Sequence, residues 1–233
     1  MDSERVDLSQ LGIWGTALRV ELGRRHEEVW VQTLGDRTEA LERGHEAMQQ
    51  KLLEFRPGGE RLEALTQALM IAPAADLVEL VLEGERSQMA ARLARELPDP
   101  VRPRQDRAAV ETNEDFVRRV QEHQQRCREL AEERARRLTE LLEARRAELA
   151  AMERKELVEL ARPRRVDVEC WNAFARACDD WVLLRAVRRS EDHDQSYFDS
   201  VAQVQALHPT VKEQLRQAYR ELEPPQGEAL PKV

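Results

Sequence analysis

Glu191, Asp192, His193 and Asp194 place three carboxylates and an imidazole in four consecutive positions, and these are the donor types of a metal site. Contiguous spacing fans the side chains out instead of aiming them at one point, so the run reads as a solvated acidic loop. Asp179 and Asp180 form a second carboxylate pair, beside Trp181. Acid and base catalysis needs carboxylates that converge in a cleft; neighbours in sequence diverge, and the pair reads as helix-surface charge. His26-Glu27-Glu28 opens like a zinc-binding helix, but the second histidine would stand where the chain has Trp30. Gly58 and Gly59 lack the lysine and hydroxyl residue of a phosphate loop, and neither GxSxG nor GxGxxG occurs.

The three cysteines, Cys127, Cys170 and Cys178, form no CxxC pair. Cys170 and Cys178 fall on one helical face with Trp171 and Trp181, where a thiol serves as a small apolar group. An odd, unpaired set fits a reducing cytoplasm. Arg102, Arg104 and Arg107, followed by Arg118 and Arg119, are the one basic concentration. They are suited to phosphate contact, but with no aromatic residues among them they read as a solvated hinge. Lys and Arg total 37 against 45 Asp and Glu, a formal charge of -8, which argues against nucleic-acid binding driven by net charge. No catalytic, cofactor or metal residue is expected, and the chain reads as a protein that is not an enzyme.

The elements that would position these residues follow from periodicity. Leu18, Val20 and Leu22 alternate, residues 28–34 offer Val29, Trp30, Val31 and Leu34, and Gly23, Arg24 and Arg25 suit the loop of a hairpin, the only convincing strand signal. Residues 36–55 read as an amphipathic helix capped by Asp36 or Thr38. Leu62, Leu65, Leu69 and Met70 mark the next helix, Leu77, Leu80, Val81 and Leu82 another after Pro73, and residues 86–97 a further short one. Three prolines between 98 and 107 mark a linker.

From Pro103 to Pro163 there is no glycine or proline, and apolar residues recur every eleven positions. Phe116, Cys127, Leu138, Leu149 and Leu160 form one series, Val120, Ala131 and Leu142 a second, and Leu130, Leu141 and Met152 a third. An eleven-residue repeat, about 3.67 residues per turn, puts all three on one stripe of a nearly straight helix. That helix is expected to start at Thr112 or Asn113 and to break at Arg162-Pro-Arg-Arg165, or to fold back on itself near Ala150, where the alanines tolerate either course. Beyond it, Cys170 to Leu184, Val201 to Leu207 and Val211 to Leu222 read as packed helices.

The expected fold is therefore mainly α: a small amino-terminal β-ribbon with helices (1–97), a Pro/Arg-rich linker (98–111), a long central helix (112–162), a compact carboxy-terminal helical module (163–223) and a flexible tail (224–233). The first residues, Asp2, Ser3 and Glu4, show no secretory signal, and no apolar run approaches the roughly 20 residues of a membrane span. A soluble cytoplasmic protein is expected.

Trp181-Val-Leu-Leu-Arg-Ala-Val-Arg188, an acidic spacer, Tyr197-Phe-Asp-Ser-Val-Ala-Gln-Val204 and a last helix ending in Ala-Tyr-Arg-Glu-Leu222 follow in that order. Together with the opening Val29-Trp-Val-Gln-Thr-Leu34 running into a charged helix, this order resembles the tail assembly chaperones of long, flexible-tailed bacteriophages. The resemblance covers roughly the first third and the last quarter of the chain, and the long middle helix departs from the family's shorter members. It implies a protein of the host cytoplasm, without catalytic residues, that binds the helical tape-measure protein and keeps it soluble during virion assembly, while tail-tube subunits, a further candidate partner, assemble around it. The contact residues expected from the stripe are Val120, Cys127, Leu130, Leu138, Leu141, Leu142, Leu149 and Met152, with homo-oligomerisation through or beside the rod. Two alternatives are a coiled-coil structural or scaffolding protein that stays in the virion, and a regulatory adaptor that contacts nucleic acid through Arg102 to Arg119.

Overall fold

The computed structural model describes residues 15–22, 25–104 and 112–222. Gly23, Arg24, Arg107 and the expected tail lie outside the described residues. The chain divides into two compact units, one of Met1–Glu54 with Val168–Val233 and one of Phe55–Asp167. It is mainly α, with a small antiparallel sheet near its amino terminus, a long central helix and further helices toward the carboxy terminus.

In the first unit, β1 (Gly15–Leu22) pairs antiparallel with β2 (Arg25–Gln32), from Gly15 opposite Gln32 to Leu22 opposite Arg25. Arg25 is thus a strand residue rather than part of the loop. Alternation sends Val20, Val29 and Val31 into the core. On the other face, the Trp30 indole lies where a Cβ on residue 15 would sit, and this close approach requires glycine there. After α1 (Thr38–Glu54), the chain enters the second unit, and it returns through the carboxy-terminal part of a helix that spans both.

The second unit is helical. It contains α2 (Glu60–Ile71), α3 (Ala74–Glu96), α4 (Asn113–Ala150) and the start of α5 (Arg154–Ala186). Residues 86–97 do not form a separate helix, because α3 runs unbroken through Gly84. Helices α2 and α3 meet at a 119° bend. Arg154 closes the end of α2 by donating to the carbonyls of Leu69, Met70 and Ala72, with Nε 2.7 Å from the Met70 oxygen. The core joins Leu69 of α2, Leu77, Val78, Val81 and Leu82 of α3, Leu149 of α4 and Leu157, Val158 and Ala161 of α5. Among the described residues no single helix is long and apolar enough to cross a membrane.

The central helix begins as expected, with Thr112 Oγ1 accepting from Asp115 N at 3.2 Å. Of the two ends that the sequence left open, the one near Ala150 is taken and the break at Pro163 is not. The helix stops at Ala150, and Met152 N turns back to Leu149 O at 3.2 Å. Pro163 instead lies inside α5. An interior proline costs a helix about 3 kcal/mol, but burial of Leu157, Val158 and Ala161 on the preceding turns holds the helix in place. Pro163 and Glu159 face solvent, so the carbonyl released by the proline can be hydrated.

Back in the first unit, β3 (Val187–Arg189) adds a third strand, antiparallel to β2, with Val31 opposite Val187 and Val29 opposite Arg189. The sheet therefore has a strand beyond the hairpin, one without a strand signal of its own in the sequence. Val187-Arg-Arg189 continues the apolar spacing of the helix before it, and only the open edge of β2 makes it a strand. Tyr197 N, 3.0 Å from Val187 O, and Arg189 N, 3.1 Å from Gln195 O, secure the return. The short α6 (Val201–Gln205) and α7 (Pro209–Leu222) complete the unit.

Helix α7 presents Val211, Leu215, Ala218 and Tyr219 to β1 and β2, a spacing of four, three and one that forms a single face. Each large side chain on that face contributes about 1.5–3 kcal/mol by burial. The sheet's inner face, the end of α5, Phe198 and Val204 share this core, so the amino-terminal ribbon and the carboxy-terminal helices form one body. Helix α1 approaches α5 closely at Gly44, where a Cβ would collide with Cys178 Sγ.

Candidate functional site

The apolar stripe of α4 divides in two. Leu149 is fully buried, and Leu142 and Met152 pack against the same core with Leu77, Val81 and Leu157. These three, expected to meet a partner, are taken up by the chain's own α3 and α5. Leu138 is half-buried and Leu141 is 42 % exposed. Toward the amino terminus of α4, Val120, Cys127 and Leu130 are half-buried, and Val117 beside them is exposed.

Helix α3 covers the carboxy-terminal half of α4 and runs antiparallel to it. Arg145 donates from Nε and Nη2 to the two oxygens of Glu85, both at 2.9 Å, and Arg146 reaches Glu79 at 2.9 and 3.1 Å. A two-pronged arginine–carboxylate pair fixes orientation as well as adding energy. The hydrogen bonds that Arg145 donates to Glu85 and Glu148 push its guanidinium further above its already high ordinary pKa.

The amino-terminal half of α4 has a different covering. Beyond α3 the chain is extended through Pro98, Pro100 and Pro103, as proline favours. It runs back along α4 between two arginine anchors. Arg134 donates to Leu97 O, with Nε at 2.9 Å, and its Nη1 lies 2.8 Å from Asp99 Oδ1. Arg119 Nη2 reaches Arg104 O at 3.2 Å. Pro100 and Pro103 are half-buried, while Val101 is 93 % exposed. The segment read from sequence as a linker is a strap on the stripe. Sequence reading missed the anchoring arginines, although a signal was present: Arg134 and Arg145 are themselves eleven residues apart.

The residues considered for chemistry have partners within the first unit or along α4. Asp180 is 4 % exposed and forms an ion pair with Lys212, which corrects the expected helix-surface pair: α7 packs over the end of α5 and covers it. Asp179 Oδ2 lies 3.0 Å from Arg216 Nε. Burial pushes the Asp179 carboxyl above its ordinary pKa, against the pull of Arg216 and Arg220. His193 of the acidic loop stacks on Trp30 with ring centroids 4.2 Å apart, and Asp192 Oδ1 accepts from Asp194 N at 3.1 Å. Among the described residues no group of three or more His, Cys, Asp or Glu is placed to hold a metal ion.

Cys178 donates to Ala40 O at 3.2 Å, and burial, then the Asp179 charge, pushes its thiol up. Cys170 is buried, and Cys127 Sγ lies 3.6 Å from His123 Nε2. In the basic stretch, Arg118 is paired with Asp115 at 2.8 Å, and Arg102 and Arg104 are exposed.

Two open grooves accompany these groups. One of about 550 Å³ in the first unit is lined by Glu27, Arg189, Tyr197, Phe198 and Gln203, and in it Tyr197 donates its hydroxyl to Glu27. Burial, then the bond to Glu27, pushes the Tyr197 phenol up to about 12. The other, of about 620 Å³ in the second unit, lies along α2 with Leu62, Thr66, Met70 and Arg162 among its walls. Compared with known proteins, the chain matches no family model, no curated protein and no solved structure.

Proposed function

We propose that this chain is a non-enzymatic assembly chaperone whose α4 binds an amphipathic helix of a partner protein and keeps it soluble. The resemblance to phage tail assembly chaperones supplies the partner class, a long helical polypeptide of the tape-measure type. One observation supports the reading most: the half of α4 that carries Val120, Cys127 and Leu130 repeats, at eleven-residue spacing, the half that takes α3, but its cover is an extended strap instead of a helix. An apolar stripe flanked by charge is the receiving side of helix-in-groove recognition.

The test is co-expression with the long helical protein encoded nearest this gene, followed by affinity purification and measurement of the partner's soluble fraction. Rescue by the wild-type chain and loss of rescue with Val120→Glu/Leu130→Glu support the reading. Stable self-association without rescue moves the assignment to a scaffold that stays in the virion.

A further inference from the structure

The repeat in α4 makes the α3 dock a template for a second one. The α3 dock is built on Leu142, Arg145 and Leu149, with Leu138 half-buried and Leu141 exposed at its edge; eleven residues earlier stand Ala131, Arg134 and Leu138, with Cys127 and Leu130 beside them. In the α3 dock, Arg145 takes the carboxylate of Glu85. In the earlier copy, Arg134 takes the carboxylate of Asp99, on the strap. Asp99 thus offers Arg134 a carboxylate as Glu85 does Arg145, but through the single Nη1 contact, while Nε and Nη2 hold the Leu97 carbonyl, and on an extended segment with little apolar surface to bury. Helix α3 brings Leu77, Val78, Val81 and Leu82 to its contact, whereas the strap offers half-buried prolines and leaves Val101 in solvent.

We propose that Leu97–Arg104 is a displaceable cover on this second dock, and that the partner which replaces it is an amphipathic helix flanked by acidic residues, of the same type as α3. The proposal rests on the helix-binding reading of α4 and adds to it the partner's charge and an intramolecular competitor. A partner helix gains apolar contact with Val120, Cys127 and Leu130, and its carboxylates take over Arg134. The strap lowers the apparent affinity by the fraction of molecules in which it is seated.

The experiment uses the full chain and a fluorescent synthetic peptide with the sequence of Ala74–Glu96, read by anisotropy. Asp99→Lys breaks the strap's ion pair from the strap side; with the Asp99 side chain 77 % exposed, folding is unaffected. Cys127 lies on α4 between the two anchors, so its alkylation, followed site by site by mass spectrometry, reports the cover independently. The expected result is peptide binding about fivefold tighter in Asp99→Lys than in the wild type, with Cys127 alkylated several-fold faster. Adding Val120→Glu should abolish binding, as should lysine in place of the peptide residues matching Glu79 and Glu85. Equal affinity and equal Cys127 alkylation in the two proteins would overturn the strap proposal while leaving helix binding intact. Faster alkylation with no peptide binding to either protein would overturn the helix-binding reading, and the proposal with it. Binding insensitive to Val120→Glu would place the peptide elsewhere and overturn the second dock.

Discussion

Arg145 grips Glu85 through two parallel hydrogen bonds of 2.9 Å, and this pair sets the antiparallel register of α3 on α4. Both side chains retain about a quarter of their exposure, at 24 % and 30 %, so solvent screens part of the attraction. Arg145→Ala is expected to lower stability by about 1–2 kcal/mol, seen as a lower urea midpoint with an unchanged slope. Glu85→Gln should cost less, because a neutral acceptor remains for one prong.

A larger loss is expected at Asp180. Replacement by Ala leaves the half-buried Lys212 without its partner; breaking a fully buried pair from one side costs about 3–5 kcal/mol, and the partial exposure of Lys212 puts this loss at the lower end of that range. Asp180→Leu combined with Lys212→Met should restore most of that loss, because two apolar side chains leave no charge in the core. Denaturant unfolding of the single and double variants checks this, and a double variant as unstable as Asp180→Ala would contradict it.

Tyr197 gives a pH signature. Its folded pKa of about 12 lies above the unfolded value of about 10, so the folded state holds the phenolic proton more tightly. The associated stability is fully present below about pH 10 and is lost as the pH rises through about 12. The chain has two tyrosines, so ultraviolet titration of wild type against Tyr197→Phe isolates this group. The variant should lack the late-ionising component and lose the corresponding fall in stability.

Legibility in the sequence followed the local signals. Thr112 and the eleven-residue repeat announced the start and the apolar face of α4, and the spacing of Val211, Leu215, Ala218 and Tyr219 announced the buried face of α7. The remainder depends on partners distant in sequence. Val187–Arg189 is a strand because β2 offers an edge 156 positions away, counting from Val31 to Val187. Pro163 stays helical because of core contacts made by Leu157, Val158 and Ala161. Asp180 is buried because Lys212 arrives on another helix. The stripe was legible as one surface, but its division into a half filled by α3 and a half under the strap was not, because the apolar pattern is the same in both. The arginines facing Glu85 and Asp99 differentiate them only once the other side is known.

The most direct test of the helix-binding account is hydrogen–deuterium exchange along α4, with and without the co-purified helical partner. In the free chain, residues 134–150 should be protected by α3, and residues 113–133 should exchange faster, since an extended strap buries less of them. On binding, the account predicts new protection over residues 113–133 and none over 134–150. Protection confined to the unit built on the sheet and α7, with α4 unchanged, would contradict it.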